Sequence, residues 1–215
     1  MPRQSASLDS ATPGAIAIAA LALIDEGGPQ ALNLRALADR LGVSHTTVHR
    51  RCGSTLAGLV DLCTDHLAAQ LPDVGPDIPW AVATETRFAR LYELLARHPG
   101  LMALRGTRPW LSRALLARLV EPQLAANIAA GMTPGESIAT YRQMYLFTLG
   151  AASFVDHANP ASALTTTRTA LAALDPGDFP VLTGHLEAIL PAVVDHEVYH
   201  SGLRRLIRAA DPSAH

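Results

Sequence analysis

The residues with the most evident chemical potential are His196, Glu197 and His200, in the stretch HEVYH, which matches the zinc-hydrolase pattern H-E-x-x-H. On a helix the two imidazoles share one face with the carboxylate beside them, the spacing that binds Zn²⁺ and deprotonates a metal-bound water. Such a site needs a third ligand, either a Glu well downstream or the last His of the extended H-E-x-x-H-x-x-G-x-x-H form. Downstream of His200 there is no Glu, the glycine is Gly202, one position early, and Leu206 stands where the final His would be. His185 and Asp195 fit no known ligand order. A second HxxxH pair, His45 and His49, reads as an incidental surface pair. The expectation is therefore no catalytic residue, no metal and no cofactor, with a metal-binding protein or zinc hydrolase acting through 196–200 as the alternative.

The elements that would carry these residues are helical. Apolar residues make up 49% of the 215 residues and aromatics 5%, enough for a sizeable core built mostly from Ala and Leu, the strongest helix formers. The net charge of −2 predicts no global attraction to nucleic acid or anionic lipid, so any such binding must come from a local patch. Cys52 and Cys63 are too few for a disulfide scaffold and lack zinc-site spacing, so they read as reduced thiols. With no apolar leader and no long uncharged apolar run, the chain is expected to be soluble and cytoplasmic, with no membrane partner.

Residues 1–10 read as a disordered tail. Thr12-Pro13 opens a first helix that ends at Gly27-Gly28; Asn33 caps a second, 34–41, stopped by Gly42; Ser44 caps a third, from His45 to about Arg51. Ser54 opens a fourth, with an apolar stripe of Leu56, Leu59, Val60, Cys63 and Leu67. The segment 72–79, PDVGPDIP, cannot continue a helix and marks a boundary, giving an N-terminal unit 11–71 and a larger C-terminal unit 72–215. Beyond it, the pattern predicts a helix over 80–97 with Val82, Phe88, Leu91 and Leu95 among its apolar positions. Another starts at Pro109, kinks at Pro122 and ends at Gly131, and a capping box at Thr133 and Glu136 starts a long helix to about His157. A Pro-bounded, Thr-rich segment follows from Asn159, then helices around 181–190 and 195–209. No strand is expected: the fold class is all-α.

Within 32–52, LNLRALADRLGVSHTTVHRRC, two short helices flank a tight turn, with Ala38, Leu41, Val43 and Val48 spaced to bury one helix against the other. This is the helix-turn-helix arrangement, whose second helix enters the DNA major groove. If Val48 is buried, His45, Thr46, Thr47 and His49 point away from the core. Between Asn33 and Thr55 stand Arg35, Arg40, Arg50 and Arg51 against one acid, Asp39, the local patch that phosphate binding needs.

The stretch AALALIDEGGPQALNLRALADRLGVSHTTVHRRCGSTLAGLVDL resembles the N-terminal domain of the TetR family of transcriptional regulators, and RGTRP, FTLG and GLRRLI resemble, in that order, C-terminal motifs of its tetracycline-repressor-like members. The resemblance implies a homodimeric repressor that binds a near-palindromic operator and is released by a small molecule held in the C-terminal domain. By position it places Arg35, His45, Thr46 and Thr47 toward bases and His49, Arg50, Arg51 and Thr55 toward the DNA backbone. The family's usual Tyr is His49 here and its common Lys is Thr55; each swap removes a phosphate contact or makes it pH-dependent. A helical adaptor that has lost DNA binding is the alternative these departures raise.

The same resemblance argues against tetracycline as ligand. The metal-contacting His and Glu of the drug-binding motif fall at Leu104 and Phe154, and two of its polar contacts at Leu71 and Arg87; only Thr107 persists. The expected effector is a small apolar or amphipathic molecule bound without metal. Its expected pocket is lined by some of Phe88, Leu91, Leu104, Thr107, Met144, Phe147 and Phe154, with Arg87 or Arg108 for an anionic group. HEVYH then becomes one turn of a dimerisation helix, with Tyr199 in the aromatic position that precedes Gly-Leu.

Overall fold

The computed structural model describes residues 11–52, 55–106, 111–154 and 159–212, with no strand among them. The expected tail at 1–10, the cap at Ser54, the helix start at Pro109 and the last turn of the long helix at His157 lie outside the described residues.

Three helices build the N-terminal end: α1 (Pro13–Gly27), α2 (Leu34–Leu41) and α3 (His45–Cys52). Their starts follow from capping chemistry. The hydroxyl of Thr12 accepts from the Ala15 amide at 3.1 Å, the Asn33 carbonyl from that of Ala36 at 2.9 Å and the Ser44 hydroxyl from that of Thr47 at 3.1 Å. Gly42 ends α2 at φ 64°, the left-handed conformation that a residue without Cβ adopts at no steric cost. The next helix, α4 (Leu56–Ala68), is capped by Thr55, whose hydroxyl accepts from the Gly58 amide at 3.0 Å. Leu59, Val60, Cys63 and Leu67 of α4 are buried, and α4 packs on α1, whereas Leu56 is exposed.

Then come α5 (Trp80–Ala96), α6 (Pro99–Arg105), α7 (Arg113–Leu115), a π-helical turn over Leu116–Val120 and α8 (Glu121–Ala129). The sequence pattern did not separate α6, a seven-residue helix fixed by Pro99 at its start and by burial of Leu101 and Met102. The expected kink at Pro122 takes the form of the π turn just before it, a wider coil that accommodates a residue unable to donate to the preceding turn. Of the apolar positions the pattern gives α5, Phe88, Leu91 and Leu95 are buried, together with Ala83, Thr84 and Arg87, whereas Val82 is 54% exposed.

The long helix α9 (Pro134–Phe154) opens with the expected capping box: the Glu136 amide donates to the Thr133 hydroxyl at 3.3 Å, and Glu136 Oε2 accepts from the Thr133 amide at 2.8 Å. The Thr-rich segment forms a further helix, α10 (Pro160–Ala172), capped by Asn159. The single helix expected around 181–190 is broken into α11 (Pro180–Gly184), α12 (Leu186–Ile189) and a 3-10 turn, Leu190–Val193, because Gly184 and Pro191 interrupt it. The last helix, α13 (His196–Ala210), packs on α5 and α9. One continuous cluster of buried side chains runs from α1 to α13.

Candidate nucleic-acid interface and effector core

On α2 and α3, burial divides the residues as a helix-turn-helix requires. Leu37, Ala38, Val48 and Cys52 are buried, with Leu41 and Val43 half-buried against them. Burial of Val48 at 0% exposure fixes the rotation of α3, and with it the exposure of His45, Thr46, His49, Arg50 and Arg51. Thr47 is half-buried, its hydroxyl 2.8 Å from that of Ser44, so it works first within the turn that starts α3. Arg35 is exposed on α2, and Thr55 is exposed at the head of α4 while also capping it.

The four arginines are not equivalent. Arg40 forms a two-pronged pair with Glu26 of α1, at 2.8 and 2.5 Å, which pins α2 to α1. That bond holds the Glu26 carboxyl below the usual glutamate range and raises Arg40. Arg35, Arg50 and Arg51 form no ion pair among the described residues. Arg50, Arg51 and the two imidazoles on α3, with Arg35 on α2, make an exposed set of donors, the chemistry that phosphates and base edges accept.

In the C-terminal part, the apolar residues expected to hold an effector are core residues. Phe88, Leu91 and Met144 are at most 1% exposed, and Leu104 and Phe147 pack half-buried against them. Phe88 and Phe147 meet Tyr199 of HEVYH. Its hydroxyl donates to the Phe88 carbonyl at 3.0 Å and lies 2.8 Å from the Thr148 hydroxyl, and Phe147 stacks on its ring at a centroid distance of 5.4 Å. Thr107, Arg108 and the side chain of Phe154 lie outside the described residues.

Arg87 stands apart from these, in a buried polar seam between α5, α8 and α9. Its Nη1 donates to Gln123 Oε1 at 3.2 Å and its Nη2 to the Val74 carbonyl at 3.4 Å, while Nε is buried with no hydrogen-bond partner among the described residues. Burial lowers its pKa, partly offset by Asp73. Gln123 Nε2 donates to Thr84 and to Asn127, each at 2.8 Å, and Asn127 also accepts from the Trp80 indole at 2.8 Å and donates to the Ser137 carbonyl at 3.0 Å. Sequence reasoning found Arg87 and missed Gln123 and Asn127. Their signal was two amides four residues apart on an otherwise alanine-rich helix, which puts both on one face.

His196 and His200 do fall one turn apart on α13, but His196 Nδ1 lies 2.9 Å from the Tyr92 hydroxyl. No group of three His, Cys, Asp or Glu side chains able to hold a metal ion occurs among the described residues. No helix among them is long and apolar enough to cross a membrane.

The fold and the exposed face of α3 define the class: an all-helical regulator with a helix-turn-helix at its N-terminal end. Residues 71–209 match the family model of the tetracycline repressor-like C-terminal domain. An HTH-type transcriptional regulator of Saccharopolyspora erythraea is 31% identical over 195 residues, spanning 86% of this chain and 79% of the relative. Among solved structures, the TetR family protein ActR of Streptomyces coelicolor in complex with actinorhodin superposes with a TM-score of 0.73 at 19% identity, covering 95% of this chain and 98% of ActR. Another TetR regulator from Streptomyces coelicolor superposes with a TM-score of 0.67 at 24% identity, over 91% of this chain and 95% of the other. The chain belongs to the TetR family of transcriptional regulators.

Proposed function

We propose that this regulator is a repressor that binds a near-palindromic operator as a homodimer and is released by a small molecule bound in its C-terminal core, with no catalytic chemistry of its own. The observation that carries the reading is the face of α3: Val48 fully buried beneath exposed His45, Thr46, His49, Arg50 and Arg51, on a chain of net charge −2. A surface of that charge on an acidic protein is a local device for phosphate and base contact. Arg35, Thr47 and Thr55 complete the contact set, Arg35 from the supporting helix and Thr55 from the head of α4. The division into a DNA-binding unit 11–71 and an effector and dimerisation unit 72–215 follows the same reading.

Exposed apolar side chains on α9 and α13, Ile138, Leu146 and Val198, support a homodimer through these two helices. ActR, whose structures were solved with actinorhodin and with (S)-DNPA, supports a small-molecule effector. Some of Phe88, Leu91, Leu104, Met144 and Phe147 line the effector site in this reading, with Arg87 or Arg108 as a cation for an anionic group. The buried Arg87 Nε, without a partner among the described residues, favours Arg87 in that role.

The deciding experiment is a gel shift on DNA upstream of the protein's own gene, with wild type and the double variant Arg35→Ala, Thr47→Ala. Loss of binding in the variant, with the sedimentation of a dimer unchanged, is expected. Unchanged binding refutes the interface, and a stable wild-type monomer at micromolar concentration refutes the dimer.

A further inference from the structure

HEVYH borders a cavity of about 720 Å³ at the junction of α1, α5, α6 and α13. The size suits a small-molecule ligand. Its apolar lining comes from Ile24 and Pro29 at the N-terminal end, Ala96 of α5 and Pro99 of α6. The close approach that forms it depends on Gly100, where a Cβ would come within 2.5 Å of Ile24 Cγ2. Tyr92, His196 and His200 complete the lining, Tyr92 itself being almost wholly buried. Tyr92 stacks on Tyr199 at 3.8 Å and meets His196 and His200 edge-on, each at 5.8 Å.

The charges around the cavity are already committed. Asp25 Oδ2 accepts from His98 Nδ1 at 2.8 Å, and Glu93 is paired with Arg90 at 3.0 Å and Arg97 at 3.7 Å. The lining carries two carboxylates, Asp25 and Glu93, against one guanidinium, Arg97, which disfavours an anion. His200 is half-buried and touches Tyr92 and Tyr199 through its ring, and that ring makes no hydrogen bond among the described residues. A half-buried imidazole beside aromatic faces is ready to pair with a hydroxyl.

We propose that this cavity is a second small-molecule site, taking a neutral, planar aromatic molecule with a phenolic hydroxyl, packed on the apolar lining of Ile24, Pro29, Ala96 and Pro99 and hydrogen-bonded by His200. Its preference is the opposite of that of the seam around Arg87, whose cation suits an anion. An occupant touches α1, against which α2 and α3 pack, and also α5, α6 and α13, so it ties the helix-turn-helix to the C-terminal part. The site stands whether or not the core holds an effector.

The test is a titration of the full chain with 2-naphthol, followed by the histidine ring resonances in a ¹³C-labelled sample, with His196 and His200 assigned through His196→Gln and His200→Gln. Saturable shifts of both signals are expected, with those of His45 and His49 unmoved. Affinity should fall about tenfold or more in His200→Ala, which removes the partner, and in Ala96→Leu, which enlarges a lining side chain of the cavity. His200→Gln, which keeps a donor, should retain most of it. 2-Naphthoate, of the same shape with a carboxylate, should move these two signals only at about tenfold higher concentration. Signals of His196 and His200 that stay fixed with 2-naphthol, an equal response to 2-naphthoate, or full affinity in His200→Ala with unchanged circular dichroism overturns the site. The gel shift on operator DNA is unaffected by that outcome and judges the repressor reading separately.

Discussion

Gly58, in the first turn of α4, is the residue on which the placement of α3 depends most sharply. A Cβ there would lie more than 1 Å inside the 3.4 Å at which ordinary contact begins, against the backbone carbonyl oxygen of Cys52, the last residue of α3. A carbonyl cannot rotate out of the way as a side chain can, so Gly58→Ala must push the end of α3 from the start of α4. Overpacking of this kind costs about 1–3 kcal/mol, and a backbone obstacle puts it at the upper end. Replacing a helical glycine by alanine returns about 1 kcal/mol of propensity. The net is a loss of about 2 kcal/mol, which for a chain of this size lowers Tm by about 4–8 °C. Operator affinity should fall further than stability accounts for, because the displaced helix is the one that carries His45, His49, Arg50 and Arg51. The assay is thermal unfolding by circular dichroism beside a gel shift at a temperature where both proteins are folded. Gly14→Ala is the control: it lies in the first turn of α1 with nothing within 4 Å of a Cβ, and should be neutral or raise stability by about 0.4–1 kcal/mol. If Gly58→Ala melts with or above wild type and binds the operator equally, the packing of α3 on α4 described above is wrong.

Two further outcomes follow from buried groups. Tyr199→Phe removes a hydroxyl that meets both the Phe88 carbonyl and Thr148; because Thr148 also reaches the Met144 carbonyl at 2.8 Å, that hydroxyl stays satisfied. The loss should be about 1 kcal/mol, read as a fall in Tm of about 2–4 °C, and a fall beyond about 10 °C would contradict it. The Cys63 thiol is pushed up to about 12 by burial and by Asp25, and Cys52 is buried with its thiol donating to the Val48 carbonyl at 2.9 Å. Neither should react with a thiol reagent at pH 8 until the protein is denatured; stoichiometric labelling of the native protein would refute their burial.

Much of this protein follows from local chemistry, which is why it is legible along the chain. Thr12, Asn33, Ser44 and Thr133 start helices because a short side-chain oxygen reaches an amide two or three residues on, and Gly42 ends α2 because it tolerates positive φ; neither effect needs a distant partner. The helix-turn-helix is legible for the same reason, since Ala38, Leu41, Val43 and Val48 bury each other across a few residues. Where a position depends on distant neighbours, local reading fails. Val82 continues an apolar pattern yet stays exposed, because the face of α5 is decided by α9 and α13. The Thr-rich stretch at 160–172 has modest helix propensity and forms α10 because Asn159 caps it and α11, α12 and the turn after them pack on it. Gln123 and Asn127 look like surface amides until Trp80, Thr84 and Arg87 arrive from α5 to satisfy them. HEVYH shows the division most plainly. Its residue types and spacing suggested zinc chemistry, while its use depends on what surrounds it in three dimensions. Tyr199 meets a carbonyl 111 residues away and His196 a phenol 104 residues away, contacts that only the packing of α13 on α5 could create.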